Sequence, residues 1–444
     1  MIHINRKIRS ATLAVAMGFV LHPIAHAGAA VRITSDAEQF AAAQPEALRP
    51  LFKALYIEGE HNAVLNLDYL GLAAMEQGEY TTAERAFDAA IGRIEAIYAN
   101  NPSAQKAKSL FAAEKVKDFK GEPYERAMTY YYRGILYIRA GDYQNARASF
   151  LAAEWQSTLS ESESYESSFG LMEFLAAWAS YCDGDEARGS DLHARAASVQ
   201  PAIFSDLPPK ATFLGVVDLG IGPTKYGIGQ YQERLAFKPS EAVAPFQIVD
   251  ATVVGANPPV IAGDVNWQAE TRSGRPVDAI LNGKAQWKAN TDAVSSAMTT
   301  VGYAAALQGA YSNNNSLAQM GTIGMVAGLA GSFFSRAMTP AADTRSWASL
   351  PAAIAVETGQ LHGSGVPVVS FQYGDPSSTG STVLNARAGK CALSWGRTRS
   401  SLRTALEHVR APVAEESRHE AINAQFRSML LSTFAAATAA TAAN

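Results

Sequence analysis

The chain has 444 residues, 48% of them hydrophobic and 18% charged, with 37 Lys and Arg against 41 Asp and Glu and a formal net charge of −4. That length allows two to three domains, each able to build a core without staples. The mildly acidic balance argues against nucleic acid as a partner, and Cys182 and Cys391 alone are too few for a disulfide scaffold.

Arg6, Lys7 and Arg9 precede an apolar stretch from Ala11 to Leu21, and Ala25-His26-Ala27 has the small-x-small form of a cleavage site. This is the pattern of a secretory signal peptide over residues 1–27. As a membrane anchor it would be too short, since a span needs roughly 20 apolar residues and Pro23 and His26 interrupt this one. Removing it takes basic residues and no acidic ones, so the mature chain is more acidic still. The expected location is the periplasm or the exterior, with outer-membrane association left open. In such a compartment Cys182 and Cys391 either bridge the two halves of the chain or stay as two buried thiols, and their distance apart in sequence favours the thiols.

Residues 28–208 read as a helical domain. Leu67, Gly71, Gly78, Tyr80, Ala83, Phe87 and Ala90 recur at the same offsets as Tyr130, Gly134, Gly141, Tyr143, Ala146, Phe150 and Ala153. Small residues at fixed offsets let two antiparallel helices approach, and aromatics fill the space between units, which is the tetratricopeptide (TPR) pattern. A degenerate third copy runs from Phe174 through Ala177, Gly184 and Ala196 to Pro201, with His193 where Phe87 and Phe150 stand. Within the second copy, a helix is expected to bury at most two of Tyr130, Tyr131 and Tyr132. Tyr130 takes the packing position by register, so Tyr131 and Arg133 become candidates for a partner-binding groove, with Tyr124 and Glu125 beside them.

After Pro208-Pro209 the composition turns to β-branched residues, Gly and Pro. Strand-like runs at 212–219, 246–254 and 265–271 mark the first part of a β-domain over 209–276. Further runs at 353–357, 366–373 and 382–385 mark its second part over 341–395. Between them, 277–340 reads as a helical Gly/Ala-rich insertion. Within it Leu317 to Phe334 carries a Gly324 and Gly328 pair at GxxxG spacing, the device of tightly packed helices in membranes and in soluble hairpins alike. A buried helix packed against 293–310 is the plainer reading, and peripheral membrane contact through 317–334 the alternative. Residues 396–444 read as a helical tail with a frayed Ala-Thr end.

Three short segments are distinctive: 220–225 (Gly-Ile-Gly-Pro-Thr-Lys), 271–278 (Thr-Arg-Ser-Gly-Arg-Pro-Val-Asp) and 342–351, which contains Asp343, Arg345 and Trp347. With 121–126 (Gly-Glu-Pro-Tyr-Glu-Arg) ahead of the second helical copy, they resemble a poorly characterised family of bacterial TPR-containing envelope proteins, often lipoproteins. The resemblance spans Asn62 to about Tyr373 and implies an envelope location and protein partners. It brings no catalytic residues with it, and this chain lacks the lipidated cysteine. Taken bottom-up, Asp278 with Arg272 or Arg275, and Asp343 with Arg345, suit charge-assisted pairs that pin the insertion to the sheet. Trp347 suits either a plug at the domain edge or a binding hot spot.

No GxSxG, HExxH or CxxC occurs, the histidines are scattered singly, and Glu122 and Glu125 around Pro123 suit a helix start. No catalytic, cofactor-binding or metal-ligating residue is therefore assigned. The sequence leads to an α+β, multidomain chain with N-terminal TPR-like helices, then a mainly β domain with a Gly/Ala-rich helical insertion. Its expected role is that of a non-enzymatic adaptor or scaffold of the periplasm or cell envelope that binds other envelope proteins or peptides through Tyr124, Glu125, Tyr131, Arg133 and Trp347. The alternatives are a membrane-associated component of an envelope assembly that acts through the Gly-rich hairpin, and a cell-wall-active enzyme.

Overall fold

The computed structural model describes residues 33–99, 118–119, 121–158, 169–238, 246–249, 253–254, 258–271, 342–367, 370–373, 379–381, 384–408 and 420–434. It mixes helix and sheet, as expected of an α+β chain. Residues 317–334 and the pairs proposed around Asp278 lie outside the described residues.

The helical part opens with α1 (33–42) and α2 (Arg49–Glu58). Three hairpins follow among the described residues: α3 (Ala63–Glu76) with α4 (Tyr80–Ala99), α5 (Pro123–Ala140) with α6 (Tyr143–Thr158), and α7 (Gly170–Asp183) with α8 (Glu186–Val199). Each turn places a glycine at positive φ, Gly78 at 78°, Gly141 at 76° and Gly184 at 91°, a conformation costly to any residue with a Cβ. The close approach foreseen from Gly71 and Gly134 is made by a ring. A Cβ on Gly71 would sit 2.8 Å from the Phe87 ring, and one on Gly134 only 2.5 Å from the Phe150 ring. In the third hairpin Ala177 already carries that Cβ, and the aromatic comes from elsewhere. Pro201 does not merely stop α8; it begins a short helix, α9 (Pro201–Phe204), whose Phe204 stacks on Phe174 at 5.4 Å.

The main sheet has the order β10 (Leu384–Ala388), β11 (Cys391–Arg397), β1 (Phe213–Leu219), β7 (Ala353–Leu361), with β5 (Val253–Val254) and β6 (Val260–Asp264) sharing the far edge of β7. β1 runs parallel to β11 and antiparallel to β7, so two central pairings join segments distant in sequence. A hairpin of β2 (Thr224–Ile228) and β3 (Arg234–Lys238) and a small sheet of β4 (Phe246–Val249), β8 (Ser370–Tyr373) and β9 (Thr379–Ser381) stand apart from it. Residues 265–271, expected as a strand, form the helix α10 (Val265–Thr271). Asp264 Oδ1 accepts from Trp267 N at 2.9 Å and caps its start, while Val265 and Ala269, one turn apart, are buried. β11 escaped the sequence reading because Cys-Ala-Leu-Ser-Trp-Gly-Arg holds no β-branched residue.

Leu214 and Val216 of β1, Ile354 and Val356 of β7, and Leu393 and Trp395 of β11 belong to the same buried cluster as the helices. The opposite face, with Phe213, Val217, Leu219 and Ala355, forms a separate small cluster. Cys182 of α7 and Cys391 of β11 are joined in a disulfide with their Cα atoms 5.9 Å apart. This corrects the expectation of two separate thiols: the fold sets the helical layer directly on β11, and sequence separation says nothing about that distance. The tail continues as α11 (Ser401–His408), which packs on α3, and α12 (Glu420–Phe434), which returns to the N-terminal helices. Phe434 meets Phe52 of α2 edge to face at 5.1 Å.

Candidate functional site

The seam where the hairpins meet the sheet concentrates the ionisable chemistry of the described residues. Its helical side is α5. Pro123 opens α5, and Glu122 N donates to Glu125 Oε2 at 2.7 Å, so the acidic pair does start a helix. Glu125, 1% exposed, does more than cap: its Oε2 also accepts from Lys225 Nζ of β2 at 2.5 Å, and its Oε1 accepts from the Trp347 backbone N at 2.8 Å. Lys225 Nζ in turn donates to the Arg345 carbonyl at 2.9 Å. Three of the distinctive segments, 121–126, 220–225 and 342–351, thus meet in one buried node. Arg345 ties the node to the N-terminal side, with Nη2 on Asp343 Oδ2 at 2.6 Å and Nη1 on Asn62 Oδ1 at 2.7 Å.

A second node lies further along α5. Asp218, on the helix-facing side of β1, accepts from Tyr132 Oη at 2.7 Å, from Tyr131 Oη at 3.2 Å and from Arg397 Nη1 of β11 at 2.8 Å. Arg397 Nη2 also donates to the Ser349 carbonyl at 2.5 Å. Burial raises the Asp218 carboxyl above the ordinary range against the pull of Arg397, and burial together with Asp218 raises both phenols, which stay protonated as donors. Between the nodes, Thr129 Oγ1 donates to Asp68 Oδ1 of α3 at 3.0 Å, and burial pushes Asp68 well above its usual value. Removing one partner from the Glu125–Lys225 or the Asp218–Arg397 pair strands a charge in the interior, at a cost of about 3–5 kcal/mol.

The five residues expected to receive a partner are all enclosed. Tyr124 is buried and meets Phe237 of β3 edge to face at 5.8 Å. Tyr130, Tyr131 and Tyr132 are buried together, because α5 is covered by neighbouring helices on some sides and by the sheet on another. The rule that a helix buries one or two of three consecutive tyrosines holds for a helix covered on one side only. Arg133 pairs with Asp88 at 2.7 Å and lies 3.7 Å from the Tyr137 ring. Trp347 is 2% exposed, with its ring 5.6 Å from that of Tyr132. Access is what the sequence reading misplaced: the inner face of the hairpins is filled by the chain's own sheet, so Tyr124, Glu125, Tyr131 and Trp347 face the strands, their loops or each other, and Arg133 is held against Asp88 and Tyr137.

Asp218 and Arg397 were not singled out from sequence, and Lys225 only as the end of the distinctive segment 220–225. The available signal was a single ionisable group inside an apolar strand, as in Phe-Leu-Gly-Val-Val-Asp-Leu, which requires a buried partner. Among the described residues no group of His, Cys, Asp and Glu is arranged to hold a metal ion, and no helix is long and apolar enough to cross a membrane. No family model, no curated protein and no solved structure matches the chain.

Proposed function

We propose that the chain is a non-enzymatic scaffold or adaptor of the cell envelope whose helical hairpins are TPR-like repeats, exported by the signal at 1–27 and engaging other envelope proteins or peptides. The like contacts of Phe87 on Gly71 and Phe150 on Gly134 support the repeat reading. One observation shapes the role. The face that such repeats leave open for a ligand is here filled in cis by the sheet through two buried ion-pair nodes. An adaptor built this way presents partners with its outer helices, α4, α6 and α8, and holds the sheet as a fixed second surface. Trp155, on α6, is 52% exposed and belongs to that outer surface.

The test is crosslinking in intact cells with a photoreactive residue at Trp155 or, in a second strain, at Tyr131, followed by affinity capture. The outer position is expected to yield a discrete adduct and the buried one none. Adducts from Tyr131 alone would overturn the reading, because they would mean that the seam opens and the inner face is the working surface.

A further inference from the structure

Away from the seam, α1, α2 and α12 enclose an open pocket of about 450 Å³, a size that suits a small organic molecule or one or two amino-acid residues. Its apolar lining comes from Phe40, Tyr56 and Leu431, and its polar lining includes Asp36, Gln39 and Gln44. Phe40 and Tyr56 lie 5.5 Å apart, and Phe40 is backed by Phe52 at 5.6 Å, so the aromatic wall is fixed from behind. Gln44 is 7% exposed, yet its side-chain amide makes no hydrogen bond among the described residues, although its backbone N bonds to Ala41 O at 3.0 Å and its carbonyl accepts from Arg49 Nε at 3.1 Å. Gln44 lines the open pocket, so its amide is available there to hydrogen-bond an occupant.

Charge sets the occupant. Asp36 is the one charged group in the lining, and its carboxylate forms no hydrogen bond or ion pair among the described residues. None of the nearby cations forms an ion pair with Asp36 among the described residues. Lys53 pairs with Glu38 at 2.8 Å, and Arg427 donates from Nε to the Tyr56 carbonyl at 3.0 Å with its guanidinium 5.3 Å from the Tyr56 ring. Burial and the Asp36 charge raise the Tyr56 phenol, which keeps its hydroxyl proton as a donor. An unpaired carboxylate beside aromatic faces attracts organic cations, and an unpaired amide can accept from one of their N–H groups.

We infer that this pocket binds a primary ammonium or guanidinium group carried on an apolar body, with Asp36 and the Gln44 amide taking the charged head and Phe40 and Leu431 the body. The inference stands apart from the adaptor reading, since none of these residues belongs to the seam. Because α12 forms one wall, an occupied pocket ties the last described helix to the first.

Calorimetric titration of the full chain with 2-phenylethylamine and with the neutral 2-phenylethanol tests the cation, and N-acetylated, C-amidated Ala-Lys-Ala against the identically blocked Ala-norleucine-Ala asks whether the head arrives free or on a peptide. Saturable binding of one cationic probe is expected, with its neutral counterpart weaker by about tenfold or more. Asp36→Asn should remove that preference, and Gln44→Leu should weaken the cation while circular dichroism stays unchanged. Asp36 is partly exposed and bonded to no described residue, so its variant should fold. Absence of saturable binding by both cations, equal binding of the neutral probes, or an unchanged preference in Asp36→Asn would each overturn the proposal.

Discussion

Glu357 sits in the middle of β7 on the sheet face turned away from the helices, beside Gly215 of β1, and is 5% exposed. It makes no hydrogen bond or ion pair among the described residues, and burial raises its carboxyl to about 7 from an ordinary 4.5. A carboxyl whose folded value is raised stabilises the fold in its protonated form. That contribution is complete below pH 4.5 and is lost as pH rises through about 7. The difference amounts to about 3 kcal/mol at 1.36 kcal/mol per pH unit. Glu357→Gln should therefore match the wild type in urea unfolding at pH 4.5 and exceed it by up to about 3 kcal/mol at pH 8. Equal stability of the two chains at pH 8 would show that the carboxylate is better solvated than its burial implies. Residues of this kind are hard to recognise in sequence. Glu357 follows Ala-Ile-Ala-Val, and Asp218 follows Val-Val, and nothing in either string says that Asp218 meets an arginine while Glu357 meets none. What decides is the strand register, a tertiary property.

Among the helices, glycines that look alike in sequence should respond in opposite senses. Gly134 touches the Phe150 ring, so Gly134→Ala overpacks the hairpin and should cost about 1–3 kcal/mol. Gly92, in α4, has nothing within 4 Å of the added methyl, so Gly92→Ala should stabilise by roughly 0.5–1 kcal/mol through helix propensity. Chemical denaturation of the two variants side by side checks this, and a shared sign would refute the packing assignment. The hairpins were legible because Gly, Ala and aromatic residues at fixed offsets are local signals that survive in one sequence. β1, β7 and part of β10 were legible as apolar or β-branched runs. α10 was read as a strand because Val and Trp bias a short run towards β, whereas Asp264 and the spacing of Val265 and Ala269 set the helix. β2, β3, β6 and β11 were missed because they are short, carry Gly or charge, or lack β-branched residues. At the seam, the segments 121–126, 220–225 and 342–351 were recognised as unusual one by one. That they form one node follows only from the fold.

For the whole molecule, the helical layer and the sheet share one buried cluster and are linked covalently by Cys182 and Cys391 across 209 residues of sequence. A bridge that closes so long a loop restricts the unfolded chain strongly, and removing it should cost about 2–5 kcal/mol. Cys182→Ser should lower the unfolding free energy by that amount, and the urea midpoint with it, and make the chain insensitive to reductant, whereas the wild type should shift when dithiothreitol is added. A wild-type midpoint unchanged by reductant would mean that the thiols are not joined in solution.

The position of β1 between β7 and β11 also fixes an order of events in synthesis. Hairpins α3–α4, α5–α6 and α7–α8 close on near neighbours and can form as soon as they emerge. β1 emerges next with an apolar strand whose parallel partner is among the last described segments of the chain. Until Arg397 arrives, the inner face of α5 has Tyr131 and Tyr132 without Asp218 held in place, and the β11 edge of β1 stands open. A chain stopped short of β11 would therefore carry the same helices and still offer chaperones and proteases a long-lived apolar surface. β11, the last described strand, thus acts as a late mark of completion: only a chain that extends through Arg397 conceals its own middle.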